Sequence, residues 1–154
     1  MSAPSTLYFS EDFVVSAGCV LFRKNPNTSN GEVELEICIL HDLTKDSWVL
    51  PKGRKDCGEN VPAAAVRETF EETGYPCALL PLRMLTRAPI PGVNGADAAA
   101  VVAGISEPIA VIVEDRSSGG EGLKLVWWYV ARAIGERVAG TQAAYEQGLE
   151  AVWP

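Results

Sequence analysis

The stretch Gly53–Tyr75, G-R-K-D-C-G-E-N-V-P-A-A-A-V-R-E-T-F-E-E-T-G-Y, constrains this chain more than any other part of it. Its second half predicts a helix over Val61–Thr73, with Pro62 suited to the first turn and Gly74 to the C-terminal cap. On that helix Glu68, Glu71 and Glu72 stand at i, i+3 and i+4 and project from one side. Each like-charge pair costs about a few tenths of a kcal/mol. Three carboxylates accepted on one face point to a divalent cation, against the alternative of a solvated acidic face. Ligation by oxygen alone suits Mg²⁺ or Mn²⁺ rather than Zn²⁺. Ala63, Val66 and Phe70 form an apolar stripe on the other side, expected to anchor the helix to a core.

The spacing extends beyond the helix. Gly53, Glu59, Arg67-Glu68, Glu71-Glu72 and Gly74 fall in the register G-x5-E-x7-R-E-U-x-E-E-x-G-U, where U is a bulky apolar residue. This resembles the Nudix box. Thr69 and Tyr75 depart from the aliphatic residues usual in their slots, and both are expected to face inward. The resemblance implies an α/β/α sandwich with a mixed β-sheet, and hydrolysis of a diphosphate joined to another group by divalent cations and water. It implies metal ligation by Glu68, Glu71 and Glu72, with the Gly53 carbonyl as a further ligand. Glu59 would bond Arg67 or reach a metal through water. Arg67 would be the counter-ion that keeps the carboxylates ionised. Glu68 or Glu71 would be the general base, with Glu114 or Glu121 as alternatives from a later loop. A C-terminal helix is also implied after a strand such as Ala151-Val152-Trp153, and this sequence stops at Pro154.

With 154 residues, 47% of them apolar and 21% charged, the chain reads as one domain over 8–154 with a flexible N-terminus at 1–7. A net charge of −7 argues against a stable nucleic-acid partner or an anionic membrane, but not against a phosphorylated small molecule held through cations. Cys19, Cys38, Cys57 and Cys77 lack metal-ligand spacing and read as reduced thiols of a cytoplasmic protein. Met1–Asp12 carries no Lys or Arg, and Phe13–Phe22 is too short to span a membrane. The expected assembly is a monomer or weak dimer. His41 follows an apolar run and reads as a structural or surface residue.

Strands are predicted at Phe13–Arg23, Val33–Asp42, Ser47–Leu50, Ala78–Arg87, Ile109–Glu114, Leu123–Ala133 and Glu150–Trp153. The first two form a hairpin across the turn Lys24–Gly31. Ala88–Ser106 reads as a loop or insertion with one short helix, and Thr141–Gln147 as a helical turn.

Substrate recognition has to come from outside the acidic helix. Lys52, Arg54 and Lys55 crowd the loop around Gly53, and Arg23, Lys24, Lys45, Arg87, Lys124 and Arg132 could complete a cationic ring. The lead-in Ser47–Gly53, with Ser16-Ala17-Gly18-Cys19, resembles the branch acting on diphosphoinositol polyphosphates and diadenosine polyphosphates. The alternative is a nucleotide-type diphosphate: a modified NTP, a nucleotide sugar or capped RNA. A nucleoside would want an aromatic platform, for which Trp127, Trp128 and Tyr129 are candidates. A non-enzymatic binding module on the same fold is the third reading, disfavoured because every motif carboxylate is retained.

Overall fold

The computed structural model describes residues 3–28 and 31–154, so Met1, Ser2 and the Ser29-Asn30 tip of the predicted turn lie outside the described residues. The centre of the fold is a parallel pair, β1 (Phe13–Lys24) with β9 (Leu123–Ala133), in register from Phe13↔Leu123 to Phe22↔Arg132. Both strands are apolar and β-branched enough to be covered on two sides. Antiparallel neighbours complete a mixed sheet in the order β10-β2-β1-β9-β5, with β2 at Leu35–Asp42, β5 at Cys77–Leu79 and β10 at Leu149–Val152.

A fork in this sheet positions the site. β1 and β2 pair over Leu21–Lys24 and Leu35–Cys38 as the expected hairpin, and then separate. The gap is filled by β3 (Ser47–Val49), which pairs with β2, and β4 (Lys52–Arg54), which pairs with β1. The predicted loop at Lys52-Gly53 is therefore a strand. It exists because Gly18 lets it approach: a β-carbon at Gly18 would overlap the Pro51 carbonyl and lie 2.6 Å from Lys52 Cβ.

The helix α1 spans Val61–Thr73. Asn60 caps it by accepting from the Ala63 N–H at 2.8 Å, and Gly74 closes it in the left-handed region at φ 77°. The face that docks differs from expectation. Ala64, Ala65, Thr69 and Thr73 are completely buried, whereas Ala63 is exposed and Val66 and Phe70 are only half-buried. Small side chains allow the helix axis close to the sheet, and the hydroxyls of Thr69 and Thr73 are satisfied by the Ala65 and Thr69 carbonyls. The core beneath consists of Ala17, Cys19, Leu21, Cys38, Cys77, Tyr129 and Ala131, with Tyr75 packed against it. Thr69 and Tyr75 thus both face inward, as expected.

Two expectations fail after the helix. The predicted strand Ala78–Arg87 is broken at Pro81, which has no N–H for the ladder. β5 stays with β9, while β6 (Leu82–Thr86) leaves to pair with β7 (Ala100–Ile105) in a separate ribbon. The region Ala88–Ser106 accordingly holds a strand and no helix. Its alanines carry little strand preference, and pairing with β6 decides the outcome. β8 (Ala110–Asp115) forms an outer strand beside β9, and Ala144–Glu146 make a 3-10 turn before β10. The fold is α/β with a mixed sheet, and α1 is its one α-helix among the described residues. No described helix is long and apolar enough to cross a membrane.

Candidate active site

Because α1 docks through its alanines and threonines, the neighbouring Glu68 and Glu72 are drawn in beside the fork, 7% and 8% exposed. They reach the floor of a cavity of about 490 Å³ lined also by Lys52, Gly53, Arg54, Glu71, Tyr145 and Glu146. Glu68 sits against β4 at Gly53, where a β-carbon would occupy the position of its carboxylate. Glu72 accepts the Lys52 N–H at 2.7 Å. A third carboxylate arrives from far along the chain. Glu146, on the 3-10 turn, places an oxygen with those of Glu68 and Glu72 so that all three lie within 4.8 Å of one another.

Arg67 organises the remaining acids. Its Nε and Nη2 donate to the two oxygens of Glu59 at 2.8 and 2.9 Å, a bidentate fork. Nη1 donates to Glu68 at 2.8 Å and Glu71 at 2.9 Å, and Nη2 also reaches the Arg54 carbonyl at 3.0 Å. The loop closes on the same pair, since Glu59 accepts the Asp56 N–H at 3.0 Å.

The electrostatics divide the acids into two groups. The Arg67 hydrogen bonds hold the Glu59 carboxyl down at about 2, and the same acids raise the Arg67 pKa. Burial pushes Glu68 upward against the pull of Arg67. It pushes Glu72 up to about 8, because that carboxyl has only a backbone N–H and the nearby Lys52 to offset desolvation. Glu71, whose side chain is 39% exposed, turns to Arg67 and stands apart from the Glu68–Glu72–Glu146 cluster.

Glu146 went unrecognised in the sequence. Its position depends on long-range contacts at the C-terminal end of α1. Thr141 Oγ1 donates to the Glu71 carbonyl at 2.8 Å, and Gln142 Nε2 donates to the Glu72 carbonyl at 2.8 Å and to Leu149 at 2.9 Å. These bonds satisfy helix-end carbonyls and fix the segment that carries Glu146. The Ala143 N–H then holds its carboxylate at 3.1 Å.

The predicted cations separate sharply. Lys45, Lys52 and Arg54 line the cavity. Lys55 is outside it, with Nζ donating to the Asp56 carbonyl at 2.8 Å. Arg23 pairs with Glu36 at 2.6 Å and lies over the Trp153 ring, and with Lys24 and Arg132 it borders a different, apolar recess. Arg87 closes the base of the loop between β6 and β7, donating to Asp97 Oδ1 at 3.0 Å. Lys124 faces Glu114 at 4.0 Å and Arg116 pairs with Glu121 at 2.8 Å, so neither Glu114 nor Glu121 reaches the site as a base. Trp127 and Tyr129 pack on the α1 side of β9, leaving Trp128 on the other. None of the three lines the cavity, where the aromatic side chain is Tyr145, 86% exposed. His41 stacks on Trp48 at 4.3 Å and bonds Asp46, also away from the site. All four cysteines are free, three of them buried and Cys57 exposed.

The architecture has close counterparts. A MutT/nudix family protein from Enterococcus faecalis superposes with a TM-score of 0.53 at 19% identity, covering 97% of this chain and 46% of its own. A NUDIX hydrolase from Nitrosomonas europaea gives 0.52 at 14% identity, over 91% of this chain and 70% of its own. By sequence, the 8-oxo-(d)GTP phosphatase of Mycolicibacterium smegmatis is 40% identical over 73 residues, 46% of this chain. The chain spans only 23% of that relative's length. The family described as NUDIX domain matches residues 13–123, well over half of the sequence. That match runs from the first strand of the fork through the whole acidic helix, and the chain belongs to the NUDIX family.

Proposed function

We propose that this chain hydrolyses a phosphoric anhydride bond in a nucleotide-type substrate, with divalent cations held by Glu68, Glu72 and Glu146. The observation that carries this reading is the convergence of those three carboxylates at the floor of a cavity whose wall presents Lys52 and Arg54. An all-oxygen donor set fits a hard cation such as Mg²⁺ or Mn²⁺. Burial that raises the Glu72 pKa supports the same fit, since a cation would repay the cost of ionising it. When bound, the cation supplies Lewis-acid polarisation of the phosphate oxygens.

The protein's own groups do the rest. Lys52 and Arg54 hold the diphosphate, and Gly53 between them lets the backbone lie against Glu68. Arg67 positions Glu68 and Glu71 without entering the reaction. Glu71, the most open of the motif carboxylates, accepts the proton of the attacking water as the new P–O bond forms and the anhydride P–O bond breaks. The leaving phosphate departs with the charge that Lys52 and Arg54 offset.

The cavity favours a nucleotide over the phosphate-dense alternative. Four cations line it, but Arg67 is taken up by Glu59, Glu68 and Glu71, and Lys45 is already shared with Asp42 at 3.5 Å. That is enough for a di- or triphosphate and too sparse for an inositol ringed by phosphates. Tyr145 at the rim supplies the aromatic surface a base would use. The Mycolicibacterium relative is named for a modified nucleotide, which supports the same choice. The test is hydrolysis of 8-oxo-dGTP, dGTP, a diphosphoinositol polyphosphate and diadenosine tetraphosphate, each with and without Mg²⁺, with substrate and products resolved by anion-exchange chromatography. Cation-dependent turnover fastest on a nucleoside triphosphate is expected. Faster turnover of the inositol compound would overturn the substrate class, and turnover of none would overturn the reaction.

A further inference from the structure

The edge of the sheet farthest from the cavity is bare. β8 reads A-V-I-V-E-D, and Val111, Ile112 and Val113 are 45%, 46% and 58% exposed. Consecutive strand residues point to opposite faces, so both faces of this strand are apolar and uncovered. One side of β8 pairs with β9, and its other side has no strand beside it among the described residues. The apolar centre of the strand has no lysine, no proline and no bulge, and its two charges, Glu114 and Asp115, stand together at one end. Leading into it through Ser106–Ile109 is the β6–β7 ribbon, which forms a sheet of its own. Its paired Leu85 and Val101 are 65% and 57% exposed. An isolated two-stranded ribbon is marginal in water.

The surface area gives the scale. The chain exposes 10271 Å² at 16.5 kDa. A compact monomer of that mass exposes about 7,600 Å². The N-terminal residues, the β6–β7 ribbon and β8 share a difference of about 2,700 Å², against the roughly 800 Å² per partner of a standard interface.

We infer that β8 pairs edge to edge with β8 of a second copy, antiparallel about a twofold axis, to make a homodimer with one continuous sheet. The sequence of the strand selects this occupant. With Ile112 on the axis opposite Ile112 of the second copy, so that paired residues share a face, Val111 falls opposite Val113, Glu114 opposite Ala110 and Asp115 opposite Ile109. The apolar residues meet at the centre and the four acids divide between the two ends, so no carboxylate faces another. Glu114 keeps Lys124 as its own partner at 4.0 Å. A twofold contact of this kind closes on itself and stops at two copies. No β8 residue lines the carboxylate cavity, so both sites remain open in the dimer.

The test is sedimentation equilibrium of the full chain from about 1 to 100 µM, the range in which standard interfaces of this size associate. Wild type is expected at twice 16.5 kDa. Ile112→Lys and Val113→Lys are each expected to weaken association about 100-fold or more, with unchanged circular dichroism. A register test covers the case in which a lysine variant misfolds. In a Cys57→Ser background, Val111→Cys and Val113→Cys chains are mixed and oxidised, the other cysteines being buried. A 111–113 cross-link between chains, exceeding that of either variant alone, supports the pairing. A monomeric wild type, a mass above the dimer, or a dimer that survives both lysine substitutions overturns it.

Discussion

Arg67→Ala in the cation-free protein isolates the counter-ion from the chemistry it supports. Arg67 makes five hydrogen bonds, four of them to carboxylate oxygens. They do not all count equally. Glu71 is 39% exposed on its side chain and can rehydrate, so its loss contributes little. Glu68, at 9%, cannot, and a charged group left unpaired there costs about 1.5–3 kcal/mol. Breaking the fork to Glu59, 16% exposed, adds about 1–1.5 kcal/mol, for a total near 3–4 kcal/mol. At this chain length that lowers Tm by roughly 6–15 °C. Urea denaturation in EDTA should report the same loss with an unchanged m-value. Arg67→Lys keeps the charge but not the fork, and should lose about half as much. Arg67→Ala with Glu59→Gln should recover part of the loss, because one orphaned carboxylate is gone. An Arg67→Ala protein within about 1 kcal/mol of wild type would refute the idea that this guanidinium holds the acidic face together.

Three further outcomes follow from the same geometry. Gly53→Ala places a methyl group on the Glu68 carboxylate, so turnover should fall about 100-fold while the fold survives, read by kcat and circular dichroism together. Tyr145→Ala should raise KM for a nucleoside triphosphate about tenfold and leave that for inorganic tripolyphosphate unchanged, which steady-state kinetics on the two substrates separates. Glu72 is held protonated in the cation-free fold up to about 8, against 4.5 ordinarily, so the folded state carries the extra proton between those values. Cation-free stability should therefore fall as pH rises through that window, by at most about 1.4 kcal/mol per unit. Calorimetry of Mg²⁺ binding in buffers of different ionisation enthalpy should show proton release at about pH 6.5 and none at about pH 9.

What could be read from the sequence was what is local. The helix Val61–Thr73, with Pro62 in its first turn, its Gly74 end and the Arg67–Glu59 pair all lie within one short segment, where period and spacing carry the information. The cations show where local reading stops. Lys52, Arg54 and Lys55 looked equivalent as neighbours of Gly53. Once β4 is a strand, residues 52 and 54 share a face and 55 leaves it. A three-residue strand has no pattern of its own; it forms because Gly18 and Gly53 permit its approach to β1 and α1. Arg87 and Arg23 were drawn off by Asp97 and Glu36, partners that only the folded chain brings near.

The docking face of α1 changes which glutamate matters most. Had Ala63, Val66 and Phe70 anchored the helix, all three motif carboxylates would face solvent and cost little. Anchoring through Ala64, Ala65, Thr69 and Thr73 instead drags Glu68 and Glu72 inward at the adjacent positions of the helical wheel. Arg67 compensates Glu68 but does not reach Glu72, whose hydrogen bond comes from the Lys52 backbone. A buried carboxylate with so little to ionise it, drawn up against Glu68 and Glu146, is a poor way to stabilise an empty fold. It makes sense as one of three oxygens waiting for a positive charge. On that reasoning Glu72→Gln should stabilise the cation-free protein while abolishing its response to Mg²⁺, and a substitution that destabilised both states would show the carboxylate to be structural.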